Sequence, residues 1–287
     1  MPKAARCEIV HAGPDRDDGR PPLLLVHGVR HAAWCWERWQ SKLAERGWRS
    51  AALSLRGHGA SEGALRGATL RAYVDDVVDA AARLSAAPVL VGHSMGGILV
   101  QRAVQRTPVR GLALVAPAPA HGGPGFALTA LRRNPRAILP VFAGRPINFS
   151  RADLLSADVP DAEADAVVGR LCPESALAQF QITAPRRPLP RAGCPVLVLA
   201  TPDDRVIPAA YVARTAAVQG VEVDWFPGLA HDVMLEPGGD AALARLEQWL
   251  EADVLGPDAA TGAGIPPAVA TLDPRRGVEQ SGSSPGS

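Results

Sequence analysis

A serine, a histidine and an aspartate stand in this chain at positions from which, together, they could attack a carbonyl carbon. Gly92-His93-Ser94-Met95-Gly96 follows the apolar run Val89-Leu90-Val91 and precedes a segment of helical period. Such an abrupt strand-to-helix turn forces its middle residue into a strained conformation and lifts that side chain to the rim of a sheet. Glycines two residues to either side let the neighbouring backbones pass. Ser94 is therefore the candidate nucleophile. A hydroxyl reacts poorly until a base takes its proton, and the base must be oriented by a third group. Among seven histidines, His231 lies in Gly228-Leu229-Ala230-His231-Asp232, after the last expected strand, where a loop can project toward the same rim. The acid is sought in Thr201-Pro202-Asp203-Asp204-Arg205-Val206-Ile207-Pro208. Asp204, just before a helix begun near Pro208, is the first choice. Asp203 is the second, and it reads equally as a helix-capping aspartate.

The other histidines have plainer readings. His27 and His93 are expected to support local backbone and His58 to stabilise its glycine turn, while His31 and His121 read as loop residues near the mouth of a cleft. No trio of His, Asp or Glu shows metal-ligand spacing, so neither a metal nor another cofactor is expected.

Short apolar runs alternating with helix-period segments are the mark of a parallel sheet with crossover helices. Strands are expected at 7–10, 23–26, 50–55, 88–91, 109–115, 195–199 and 221–226. Helices are expected at 33–46, 70–85 with Thr69 as N-cap, 95–106, 208–218 and 239–252. The rhythm breaks between residues 120 and 192, where no comparable β-run occurs and prolines separate short helical patterns at 125–133, 136–143, 161–171 and 174–182. Residues 1–119 and 193–255 thus read as one α/β core, and 120–192 as a helical insertion too long to be a loop, forming a lid. Residues 256–287, rich in Gly, Pro, Ala, Ser and Thr, read as a disordered tail.

A chain of 287 residues, 47% apolar, can bury a large core without staples. Thirty basic and 29 acidic residues leave a net charge of +1, which gives no field to draw in a nucleic acid. Cys7, Cys35, Cys172 and Cys194 lie far apart and form no C-x-x-C pair, as suits a reducing cytoplasm. No stretch approaches the ~20 apolar residues of a membrane span. Arg132, Arg133 and Arg136 form a basic group that reads as a solvated lid face, or more sharply as a transient contact with an anionic surface. Nothing in the sequence sets the oligomeric state.

The order Ser94, Asp204, His231 is that of the α/β-hydrolase nucleophile elbow, and over residues 20–252 the chain resembles that superfamily. Val26-His27-Gly28-Val29 is similar to its oxyanion loop, Gly57-His58-Gly59-Ala60-Ser61 to its characteristic turn, and Ala33-Trp34-Cys35-Trp36 to a stretch of its lyase and methylesterase branch. The resemblance implies a mostly parallel sheet flanked by helices, with backbone N–H groups of Val29 and Met95 as oxyanion donors. It implies a serine hydrolase acting through an acyl-enzyme on a small ester. With Trp34, Phe126, Leu128 and Phe142 expected to line an apolar pocket, that ester would be hydrophobic: lysophospholipid-like, monoacylglycerol-like, or a pathway-specific ester or lactone. Two other outcomes remain open on the same fold: a lyase, acyltransferase or cyclase, and a sensor of a small ligand.

Overall fold

Leu23–Val26 (β2) and Ser50–Leu53 (β3) are buried at every position, as are Val89–His93 (β4) and Gly111–Val115 (β5). Strands covered on both faces are what a parallel sheet with helices on either side requires. The computed structural model, which describes residues 6–15, 18–185 and 189–256, completes the sheet with Ile9–Ala12 (β1), Val196–Ala200 (β6) and Asp224–Trp225 (β7). Its seven strands run in the order β1-β3-β2-β4-β5-β6-β7. All pairings are parallel except β1 on β3, where Ile9 faces Leu53.

Strand order reverses between β2 and β4: the chain goes from β2 outward to β3, then back across to β4 and on toward β7. In open α/β sheets a crevice forms at the carboxyl ends of two such strands. Here those ends are Val26, leading into His27-Gly28-Val29, and His93, leading into Ser94.

Side chains alternate along each strand and so divide the interior in two. Leu24 and Val26 join a layer with Leu70–Ala82 (α2), Met95–Ala103 (α3) and Ala209–Gln219 (α9). Leu23 and Leu25 join the opposite layer with Glu37–Glu45 (α1) and Asp240–Trp249 (α10), where Trp36, Trp39, Trp48 and Trp249 are buried. Between β5 and β6 lie Pro124–Arg133 (α4), Pro135–Phe142 (α5), Arg151–Leu154 (α6), Asp161–Gly169 (α7) and Ala176–Thr183 (α8). Phe126, Phe149, Leu154 and Ile182 from this segment continue the α2–α3–α9 layer over the carboxyl ends of the strands.

Several boundaries differ from the sequence reading, for local reasons. Residues 33–46 open with a tighter turn, Ala33–Trp36, before α1 begins. Residues 221–226 yield only the two-residue β7, because the strand pairs on one side alone. The helix α6 is four residues long, too short to show a period. Thr69 caps α2 as expected, accepting from Ala72 N at 3.1 Å. Of the expected tail, residues 257–287 lie outside the described residues.

Candidate active site

The turn at Ser94 is built by what a Cβ would strike. A methyl group on Gly92 would lie 2.5 Å from Gly96 O, and one on Gly96 would lie 2.3 Å from Val26 O, so α3 presses onto β2 and β4 only because both positions are bare. Ser94 is one of three non-glycine residues with positive φ among the described residues, at φ 51° and ψ −117°. Such a conformation persists only where the surroundings over-determine it. Ser94 N donates to Val115 O at 3.1 Å, and Ser94 O accepts from Gly97 N and Ala118 N, each at 3.0 Å.

Two loops bring the partners. His231 Nε2 lies 2.9 Å from Ser94 Oγ, and His231 Nδ1 lies 2.8 Å from Asp204 Oδ2. The other Asp204 oxygen accepts from Val206 N at 2.7 Å and Ile207 N at 2.8 Å, which fixes the carboxylate plane. Burial alone would lower the His231 pKa, but the Asp204 carboxylate first, with Asp232 and Asp153 nearby, outweighs it and leaves the imidazole above its ordinary value. The arrangement can pass one proton from a hydroxyl to an imidazole held in the correct tautomer.

Asp203, the second candidate acid, does not reach the imidazole. It accepts from Gly228 N at 2.8 Å and thereby ties the acid loop to the histidine loop. Thr201 Oγ donates to Leu229 O at 2.9 Å and makes a second tie.

Gly28 passes so near Ser94 that a Cβ there would sit 2.9 Å from the serine Cβ. Val29 follows it and shares a cleft with Ser94. Met95 is the first residue of α3, and the first N–H groups of a helix have no acceptor within the helix. Both backbone donors expected at an oxyanion hole therefore flank the serine.

A cleft opens over Ser94, and among the described residues no charged one lines it. Four of the five phenylalanines in the chain, Phe126, Phe142, Phe149 and Phe180, stand in its wall. Besides Ser94 the polar lining is Gln179, whose amide is spent on Ile147 N and Ser175 O, and Thr183, whose hydroxyl donates to Phe180 O. Two expected lining residues are elsewhere. Leu128 points outward from α4, 45% exposed. Trp34 packs on the opposite layer, with its ring against His31 and under the Arg170 guanidinium, because the Ala33–Trp36 turn directs it away from the sheet rim.

The remaining histidines are more deeply engaged than the sequence indicated. His27 Nδ1 donates to Gly28 O at 2.8 Å while Nε2 accepts from Leu55 N at 3.0 Å; burial, then His58 nearby, keeps this ring neutral. His93 Nε2 donates to His231 O at 3.1 Å, and burial with His231 close by lowers its pKa to about 3. His31, read as a loop residue, is buried against Asp232, with Nε2 at 3.0 Å from Oδ2. His93, His231 and Asp232 bring ligand-type atoms within 4.8 Å of one another, a trio that spacing along the sequence did not announce. His231 already spends both ring nitrogens on Ser94 and Asp204, so it has no lone pair left for an ion.

The insertion bonds to all three loops of the site. Arg133 donates to Asp204 O at 3.0 Å, Leu154 O accepts from Asp232 N at 2.8 Å, and Cys172 N donates to Arg30 O at 2.9 Å. No motif marks these contacts; arginine and a backbone carbonyl carry no sequence signature.

The sequence model of the alpha/beta hydrolase family matches residues 23–245, which cover β2 to β7, the turn at Ser94 and His231. The chain belongs to the alpha/beta hydrolase family. Within this family it is similar to a monoacylglycerol lipase of Mycolicibacterium smegmatis, 30% identical over 257 residues, 83% of this chain and 90% of that protein. It is also 39% identical to a probable esterase of Oryza sativa subsp. indica, over 97 residues that make up 32% of this chain and 36% of the rice protein. The chain thus aligns with about a third of that relative's length. Among solved alpha/beta hydrolase structures, a thermophilic esterase from Thermogutta terrifontis superposes with a TM-score of 0.69 at 20% identity, over 87% of this chain and 94% of that one. Among the described residues no helix is long and apolar enough to cross a membrane.

Proposed function

We propose that this chain is a serine hydrolase that cleaves carboxylic esters of a hydrophobic acyl chain. The observation that carries the reading is the hydrogen-bonded line Asp204–His231–Ser94 opening into a phenylalanine-walled cleft without charge. Ser94 Oγ bonds to the ester carbonyl carbon as its proton passes to His231 Nε2, and the carbonyl electron pair moves onto oxygen. The Val29 and Met95 N–H groups receive that oxyanion; one such donor typically accounts for about 100- to 1,000-fold in rate. On collapse the alcohol departs with the proton from His231. Water then attacks the acyl-enzyme by the same route and frees the acid. The acyl chain lies among Phe126, Phe149 and Ile182, where only dispersion and desolvation hold it, so charged acyl groups are rejected.

In this reading residues 120–192 act as a lid. Leu128, Leu139, Phe142, Leu177 and Phe180 of this segment are five of the seven exposed large apolar residues among the described residues, with Phe142 and Phe180 standing where the cleft wall meets solvent. Residues 121–152 hold five arginines and no Asp or Glu. Such a face fits an anionic lipid surface from which an ester would enter. The ester printed in the name of the Mycolicibacterium relative, a monoacylglycerol, is of this class.

The test is a series of aryl esters of rising acyl length together with a fluorophosphonate probe. Labelling at Ser94, loss of both labelling and turnover in Ser94→Ala, and kcat/KM rising with chain length are expected. Absence of labelling in the intact chain would instead favour a ligand sensor, and acyl release without free acid would favour a transferase or lyase.

A further inference from the structure

The peptide unit joining Val29 to Arg30 is gripped at both ends by buried carboxylates from distant parts of the chain. Its carbonyl, Val29 O, accepts from His31 Nδ1 at 2.8 Å, and His31 Nε2 is paired with Asp232 Oδ2 at 3.0 Å. Its N–H, on Arg30, donates to Glu174 Oε2 at 3.2 Å. Asp232 adjoins His231, whereas Glu174 comes from the insertion, ahead of α8. The His31 and Asp232 side chains are 1% and 0% exposed, and that of Glu174 is 0%.

Arg30 needs such a grip. It is another of the non-glycine residues with positive φ, at 64°. A residue held there costs of order 1–3 kcal/mol and relaxes unless neighbours hold it. The Arg30 side chain is fastened as well, Nε donating to Cys172 O at 3.0 Å and Nη1 to Ile147 O at 2.8 Å.

Glu174 is itself held rigid. Oε1 accepts from Tyr73 OH and from Ser175 N, each at 2.7 Å, and Oε2 lies 3.2 Å from His58 Nε2. Burial works against its charge, but His58, Tyr73 and the Ser175 amide outweigh it and keep the carboxyl below its usual range. It is an anchored, acceptor-only group, and the one long-range backbone N–H it receives is that of Arg30.

We infer that Glu174 and Asp232 are positioning residues that together set the plane of the Val29–Arg30 peptide and so aim the preceding N–H, that of Val29, at the developing oxyanion. The inference rests on the serine-hydrolase reading above. The two carboxylates approach the same peptide from opposite ends, one through an imidazole and one directly, and neither is among the residues that line the cleft. Docking of the insertion and completion of the oxyanion hole are thereby one event.

Glu174→Gln is the decisive variant. A glutamine amide can keep its oxygen on Tyr73 and Ser175 only by turning an NH2 toward the Arg30 N–H, donor against donor. Asp232→Asn is the companion, and the double variant completes a cycle. Each enzyme is titrated with fluorophosphonate so that kcat is counted per reactive Ser94. Each single change is expected to lower kcat about 10- to 100-fold with KM within threefold, and to slow phosphonylation, which also needs the hole, by a similar factor. The double variant is expected to fall no more than about threefold below the worse single one, since both act on one peptide. Unchanged kcat per labelled site with only a lowered Tm would overturn the inference, as would losses confined to KM or losses that multiply in the double variant. If one single variant does not fold, the other is read alone by its kcat, KM and phosphonylation rate. Failure of the hydrolase reading would look different: the unmodified chain itself would not label.

Discussion

Asp203 and Asp204 are neighbours of identical chemistry, and the backbone between them sends one carboxylate to an imidazole and the other to the amide of Gly228. Asp204→Asn is expected to lower kcat by about three to four orders of magnitude through loss of the imidazole's orientation, and Asp203→Asn by less than tenfold. Comparable losses in the two, measured as kcat per labelled serine, would remove Asp204 from the assignment. The histidine sets the pH dependence. Burial lowers the His231 pKa, and Asp204 with the nearby Asp232 and Asp153 more than restores it, so the net value lies above the ordinary 6.5. A protonated ring cannot take the serine proton, so kcat/KM on a neutral ester should fall as pH drops through a midpoint above 6.5. A midpoint at or below that value would contradict the placement. Ser94 was legible because its requirement is local: two glycines, a strand before and a helix after. His31, Asp232 and Glu174 were not, because each acquires its partner only when segments more than 100 residues apart meet.

At the scale of elements, the approach of α3 to β2 is the tightest condition on the site. Gly96→Ala would drive a methyl group to 2.3 Å from Val26 O and 2.7 Å from His27 O, backbone atoms that cannot swing aside. It is expected to destabilise the fold by about 1–3 kcal/mol and to abolish labelling. Gly169→Ala, where nothing lies within 4 Å, should leave Tm unchanged or slightly raised. Urea melts of the two variants check this, and equal midpoints would refute the packing argument. The parallel strands were readable as apolar runs because both their faces are covered. The edge strand β7 was read too long, at 221–226, because pairing on one side alone leaves two residues in the sheet, and the helix α6 escaped because four residues are too few to express a period. The insertion was visible as a broken rhythm with four short helical patterns; that it braces the acid, histidine and oxyanion loops is written in single long-range hydrogen bonds.

For the molecule as a whole, a net charge of +1 conceals an uneven distribution. The face of α5 open to solvent carries Arg136, Leu139 and Phe142, and that of α4 carries Leu128 and Arg132. Sedimentation with vesicles is expected to retain the protein on phosphatidylglycerol membranes and not on phosphatidylcholine alone, with Arg136→Glu and Phe142→Ser each weakening retention severalfold. Equal retention on both membranes, or self-association that covers this face, would overturn the surface contact. The sequence pointed to the arginines, but which apolar side chains share their face depends on how the helices pack over the strands. The placement of the indoles has an optical consequence. Four of the six tryptophans are buried in the layer that α1 and α10 form, and none stands in the cleft wall. Native ultraviolet emission should therefore stay constant while an acyl chain occupies the cleft, and should change in any state that takes Arg170 away from Trp34, the guanidinium lying 4.5 Å from that ring.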